Sequence, residues 1–434
     1  MFFKKGCIRD KVTDKKALFL LFQKQKYMFN FLRCCFFFLI TLHVTGQNCL
    51  PRLKKGNWSG NLQLNENSRL PFKFVIAKKN KTFVFTIFNG EEKITLIQDQ
   101  ITKDSLKLSF PLFNSTLFLN IKSNSLISGY WQNLNKGVNY KIPCDLTSFS
   151  KTSHSSPLDP VNFGGKWEST FEPNTVDAYK ATGLFNQNKS AINGTFLTET
   201  GDYRFLSGEV KGNTLLLSCF DGSHAFLFTG KMQNDSIYGS FFSGKHWETT
   251  WEARKNETFQ LTNPDSLTFL VDTTKFHFEL KDLQGNKFTF PNDRLEGKIT
   301  IIQIMGTWCP NCMDETRYFK ELKNKYRDQG LEIISIGYEV GDSFEEYSTK
   351  IASLQKRLDL DFIFLVGGGA NKDLASEHFK MLSHIISFPT AIFIGRDGQI
   401  KKIHTGFSGP GTGEHYLNYM KETVLLIESM LKAN

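Results

Sequence analysis

The sequence predicts a multidomain protein: two antiparallel β-rich modules, each a small barrel or sandwich, followed by an α/β domain. Three observations predict it. From about residue 50 to 256, short Phe/Ile/Leu/Thr-rich runs are separated by Asn, Gly, Lys and Ser, with no sustained helical period. That stretch also repeats itself at an offset of 109–111 residues. After residue 264, buried strands begin to alternate with helical segments, the pattern of a sheet covered on both faces.

At 434 residues the chain exceeds what one core organises, and two or three domains are expected. A composition of 40% hydrophobic and 22% charged residues argues against long disorder. The net charge of +10 raises the question of a nucleic-acid partner, but residues 1–46 hold nine Lys/Arg and two acids, +7 of that total. The basic character belongs to the leader, and nucleic acid is set aside.

Residues 1–46 read as a signal peptide or an N-terminal anchor. Met28 to Arg33 makes a short positive start, Cys34 to Leu42 an apolar core, and Val44-Thr45-Gly46 a cleavage site with small residues. The apolar run is shorter than the ~20 residues that span a bilayer. Met28 is a candidate true start. Export follows, to a periplasmic or cell-envelope location. Five cysteines then remain: Cys49, Cys144, Cys219, Cys309 and Cys312. An oxidising compartment favours pairing or reaction. Cys49 and Cys144 bracket the first module and could close it; Cys219 reads as a buried small hydrophobe.

The first β-module spans 50–147, with alternation in F-K-F-V-I-A (72–77), T-F-V-F-T-I-F (82–88) and S-L-K-L-S-F (105–110). A Ser/Pro/His-rich linker covers 148–162, and the second module spans 163–256. Asn89-Gly90 and Asn193-Gly194 read as hairpin turns. Gly56-Asn57-Trp58 recurs as Gly165-Lys166-Trp167, S-L-K-L-S-F as T-L-L-L-S-C-F (214–220), and S-L-I-S-G-Y-W (125–131) as S-I-Y-G-S-F-F (236–242). The opening G-x-W resembles that of lipocalin-like barrels, where the Trp closes the barrel floor. The aromatics read as plain core ahead of a ligand cavity, and the modules carry no metal-ligand spacing and no nucleophile with a partner base.

Residues 265–434 carry the chemistry. A hairpin around Gln284-Gly285-Asn286 precedes a buried strand (299–305) and a helix (314–327) with Phe319, Leu322 and Tyr326 on one face. A strand (331–337), a helix (343–358), a strand (362–366), a helix (372–382), two strands (390–395, 399–404) and a helix (413–432) follow. The stretch M-G-T-W-C-P-N-C-M-D-E (305–315) lies where strand gives way to helix. Backbone N–H groups and the dipole at a helix start favour the thiolate of Cys309, the candidate nucleophile. Pro310 suits the first turn, and Cys312, one turn on, resolves the mixed disulfide.

T-W-C-P-N-C followed by F-P-T-A-I-F-I-G-R-D-G about 75 residues later resembles thioredoxin-fold proteins, most closely exported thiol–disulfide oxidoreductases of the TlpA/ResA type. The resemblance implies that Pro389 is a cis-proline and that Phe388, Pro389 and Thr390, with Trp308 and Pro310, dock substrate. It also places Glu315 where this group carries an acid beneath the active site, a possible acceptor of the resolving thiol's proton. The competing reading of Glu315, and of Asp314, is a solvated helix-start acid. Thioredoxins carry a buried acid where this chain has Gln303, which cannot take a proton.

A zinc site needs about four ligands, and His277, His378, His384 and His404 lack that spacing, so no metal is expected. No cofactor is expected beyond the cysteine pair. Gly367-Gly368-Gly369 reads as a loop, and Lys401, Lys402 and His404 as an exposed edge. The reading is therefore an exported oxidoreductase, tilted toward a protein disulfide reductase. Its partners would be protein thiols or disulfides, apocytochromes among them, and a membrane electron donor. The alternative is a binding or scaffold protein that works through the β-modules, with a redox-passive C-terminal domain.

Overall fold

Period-two burial organises the first half of the chain. Strand Arg69–Lys79 buries Leu70, Phe72, Phe74 and Ile76, and Thr82–Asn89 buries Phe83, Phe85 and Ile87. Strands with one dry face bury it together by curling the meander into a barrel. In the computed structural model, which describes residues 52–80, 82–149, 159–272 and 276–433, this happens twice. The first sheet runs from Gly56–Gln63 to Lys141–Ser148, and its first and last strands pair antiparallel, Trp58 against Ser148 through Leu62 against Cys144. Its two outer strands, Glu92–Thr95 and Ile97–Ile101, are separated only by Leu96, whose N–H donates to Phe85 O at 2.9 Å. One bent segment therefore bonds both edges.

The second sheet, from Gly165–Phe171 to Trp247–Lys255, has the same neighbour-to-neighbour order. It closes where Tyr179–Asn188 pairs with Ala191–Thr198. Trp58 Nε1 donates to Lys54 O at 3.0 Å and Trp167 Nε1 to Phe163 O at 2.8 Å, the same four-residue reach back in each barrel. Rings fill the second interior: Phe171, Phe196, Tyr203, Phe228, Phe241 and Trp251 contact one another, with Phe228 and Phe241 stacked at 4.2 Å. These aromatics are core.

The barrels share an interface. Phe220 of the second lies among Phe72, Phe110 and Trp131 of the first. The Asn89 amide donates to Phe220 O and its oxygen accepts from Phe220 N, while Ser115 Oγ donates to Gly222 O at 2.6 Å.

The third sheet has seven strands in the order Lys287–Phe290, Phe278–Asp282, Ile363–Gly369, Leu331–Glu339, Ile299–Met305, Thr390–Ile394, Ile400–Thr405. Its three central strands are parallel, and Ile299–Met305 is buried at every residue, as a sheet with helices on both faces requires. Helices α1 (Pro310–Tyr326), α2 (Phe344–Leu358), α3 (Lys372–His378) and α4 (Glu414–Lys432) pack around it.

Several expectations need correction. Asn193-Gly194 lies inside strand Ala191–Thr198, and the turn is Lys189-Ser190. A Cβ on Gly194 would sit 2.0 Å from Leu184 O, so this glycine permits a close backbone approach. Gly367–Gly369 ends a strand instead of forming a loop; a side chain at Gly367 would strike the Tyr338 ring at 2.4 Å. His404 is buried, and its Nδ1 lies 2.6 Å from Asp265 Oδ1. α1 starts at Pro310, the first-turn position expected of it, while α3 stops at His378, four residues early. Cys219 is the buried small side chain expected, and burial pushes both it and the buried Cys144 above the ordinary thiol range. Cys49, residues 1–46 and residues 150–158 of the linker lie outside the described residues. No helix among the described residues is long and apolar enough to cross a membrane.

Candidate active site

Cys309 caps α1. Its Sγ accepts from Cys312 N at 3.2 Å, and Pro310 occupies the first helical position, where no N–H is needed. Both cysteines are thiols, Cys312 fully buried and Cys309 only 7% exposed. The Phe388–Pro389 peptide is cis, and the Cys309 thiol approaches Phe388 O at 3.6 Å. Thr390 Oγ1 donates to Ser387 O at 2.8 Å and Gly406 N to Pro389 O at 2.9 Å, bracing that loop from both ends. Trp308 Nε1 donates to Tyr338 O at 3.0 Å, and its ring meets Phe388 edge-on at 6.2 Å. The structure thus brings together Trp308, Cys309, Pro310, Cys312 and the Phe388–Thr390 strand entry.

Glu315 is fully buried, so the solvated reading of this residue fails. Burial pushes its carboxyl up to about 8, against the opposing hydrogen bonds from Gln303 Nε2 at 2.9 Å and Tyr419 OH at 3.4 Å. Gln303 is the hub beneath the site. Its amide N–H groups also reach Cys312 O at 3.3 Å, while its oxygen accepts from Thr316 Oγ1 and Ser335 Oγ. Burial, the Cys309 sulfur and then Glu315 all push the Cys312 thiol up, so its deprotonation needs a nearby acceptor. On the other side of Trp308, Thr307 donates through N and Oγ1 to buried Glu339, which burial pushes up to about 7.

Asp314 is also buried, contrary to expectation. It binds Arg317 at 2.9 Å and the Arg204 guanidinium of the second barrel. Arg204 is itself buried, and it reaches Glu92 of the first barrel at 2.8 Å and Asp221 of the second at 3.6 Å. Burial opposes the Asp221 charge, yet His224 and Arg204 outweigh it and bring the carboxyl to about 2. Ser223 Oγ donates to Trp308 O at 3.0 Å. Sequence reasoning missed these residues because partners 85 and 110 positions apart leave no local spacing to read. Ser387, two residues before the cis-proline, and Asn311, inside the cysteine motif, stood beside visible signals.

Known proteins are similar to the C-terminal part of the chain. A Redoxin family model matches residues 271–419. The thiol-disulfide oxidoreductase ResA of Halalkalibacterium halodurans is 29% identical over 145 residues, 33% of this chain and 74% of that protein. The thioredoxin-like protein YneN of Bacillus subtilis is 26% identical over 130 residues, 30% of this chain and 68% of its own length. A solved thiol-disulfide oxidoreductase from Bacteroides fragilis covers 35% of this chain and 99% of its own, at 17% identity and a TM-score of 0.26. Residues 271–419 thus carry a Redoxin domain, and the C-terminal part of this chain is similar to thioredoxin-like thiol–disulfide oxidoreductases of the ResA type.

Proposed function

We propose that the protein is an exported protein disulfide reductase working through Cys309 and Cys312. The observation that carries the reading is the Cys309 sulfur, held at a helix start by Cys312 N and against the carbonyl of Phe388 in the cis-proline loop. The Cys309 thiolate attacks a substrate disulfide, forming a mixed disulfide and releasing one substrate thiolate. Cys312, giving its proton to the fraction of Glu315 that is a carboxylate, which grows as pH rises through about 8, then attacks the Cys309 sulfur. The second substrate thiol leaves, and the pair is left as a disulfide holding the two electrons' worth of oxidation. Two thiols of an electron donor reverse this.

Trp308, Pro310 and Phe388–Thr390 form the docking face in this reading, and no cofactor beyond the pair is invoked. Exported proteins with disulfides to be reduced, apocytochromes among them, are the substrate class, and a membrane-bound dithiol is the donor. The leader in residues 1–46 supports export to the periplasm or cell envelope. The common strand order and the matching Trp58 and Trp167 contacts support a duplicated β-module.

Cys312→Ser tests the mechanism. The variant should accumulate a mixed disulfide through Cys309 with a reporter protein disulfide, and Cys309→Ser should form none. If neither variant traps substrate and the native protein reduces none, the C-terminal domain is redox-passive and the binding-protein reading takes over.

A further inference from the structure

The face around Cys309 is already covered by the chain's own second barrel. Ser387 Oγ donates to Thr200 O at 2.9 Å, Asn311 Nδ2 to Asp202 O at 3.2 Å, and Gly409 N to Asp202 Oδ2 at 2.7 Å. These donors come from three separate places: the cis-proline loop, one of the two residues between the cysteines, and the turn after the last strand. Two of them grip the alternate carbonyls of Thr200 and Asp202, as a groove holds an extended peptide by its main chain, and the third holds the Asp202 carboxylate. The fit leaves no space for another chain. A Cβ on Gly201 would lie 2.6 Å from Asn311 Nδ2, and one on Gly406 would lie 2.6 Å from the Thr200 carbonyl carbon.

We propose that Thr200–Arg204 is a cap filling the substrate-docking groove, and that the Arg204 ion cluster is the latch holding it closed. The proposal rests on the reading that substrate docks at Phe388–Thr390. Arg204 joins all three bodies, since Glu92 belongs to the first barrel, Asp221 to the second and Asp314 to α1. A buried guanidinium shared by three carboxylates is costly to break on one side only, because each separated acid is left without its partner. With the cap down, Cys309 is nearly inaccessible. A protein disulfide reaches Cys309 only in the fraction of molecules whose cap has lifted, so its rate scales with that fraction. The β-modules are then the gate of the redox site as well as its neighbours.

The test compares how fast Cys309 in the reduced full chain is alkylated by iodoacetamide and by a polyethylene-glycol maleimide, site by site from peptide masses. Two barrel variants open the cap by different routes: Gly201→Trp wedges it from Asn311, and Arg204→Gln removes the latch. Each should raise the bulky reagent's rate by at least about tenfold relative to iodoacetamide, the signature of a larger open fraction. The cap is refuted if both variants keep the native far-UV spectrum and melting temperature while this ratio stays at the native value. Exchange of the Cys309–Cys312 pair with glutathione, followed in the same samples, judges the reductase reading separately: a pair that never exchanges removes the reading, and the labelling ratio still decides the cap.

Discussion

Glu315 shows how one buried side chain links stability to chemistry. Its carboxyl in the folded protein sits near 8, above the ordinary value of 4.5, so the folded state holds a proton that the unfolded chain releases. The stability this group contributes is complete below about pH 4.5 and is lost as pH rises through 8. A shift of that size corresponds to roughly 3–5 kcal/mol. Glu315→Gln should therefore melt higher than the native protein at pH 9 and about equally at pH 4.5. The same variant should slow resolution of the mixed disulfide by roughly a hundredfold, the usual weight of a positioned proton acceptor. Quenched-flow trapping checks the rate, and a variant that resolves as fast as native assigns the proton to another group.

At the scale of elements, legibility followed the range of the contacts. The C-x-x-C, the helix it opens and the x-Pro-Thr strand entry could be read because a few adjacent residues determine them. The same local reading mistook Asn193-Gly194 for a turn, since what fixes Gly194 is the Leu184 carbonyl of the facing strand. It also left His404 on an exposed edge, because its cover is Asp265, 139 residues away. Barrel closure was half legible: alternation gave the strands, but not which edges met. Ring packing inside the second barrel is a separate structural claim. Phe228→Ala deletes a fully buried ring against Phe241 and should cost about 3–5 kcal/mol in urea unfolding. A loss below about 1 kcal/mol would mean that the interior is an open cavity and not a packed core.

For the molecule as a whole, the barrels form a continuous support for the redox site. Phe220 anchors the second barrel in the core of the first, and its neighbour Ser223 holds the backbone of Trp308. Unfolding followed by far-UV circular dichroism and by tryptophan fluorescence should give coincident transitions in the native protein. In Phe220→Ala, which removes the shared ring, they should separate; transitions that stay coincident would show that the barrels do not depend on this contact. The sequence made the redox domain legible by motif, whereas the covering of that domain could be seen only once Arg204, Glu92 and Asp314 were brought together from three parts of the chain.

The central claim is that Cys309 and Cys312 exchange electrons reversibly as a reductase. The most direct test is the reduction potential of the pair, read from Trp308 fluorescence in graded thiol/disulfide buffers. The predicted value lies near about −270 mV, the region of thioredoxin, whereas a value near about −120 mV would mark an oxidant that introduces disulfides. A pair that never titrates reversibly would contradict the account outright.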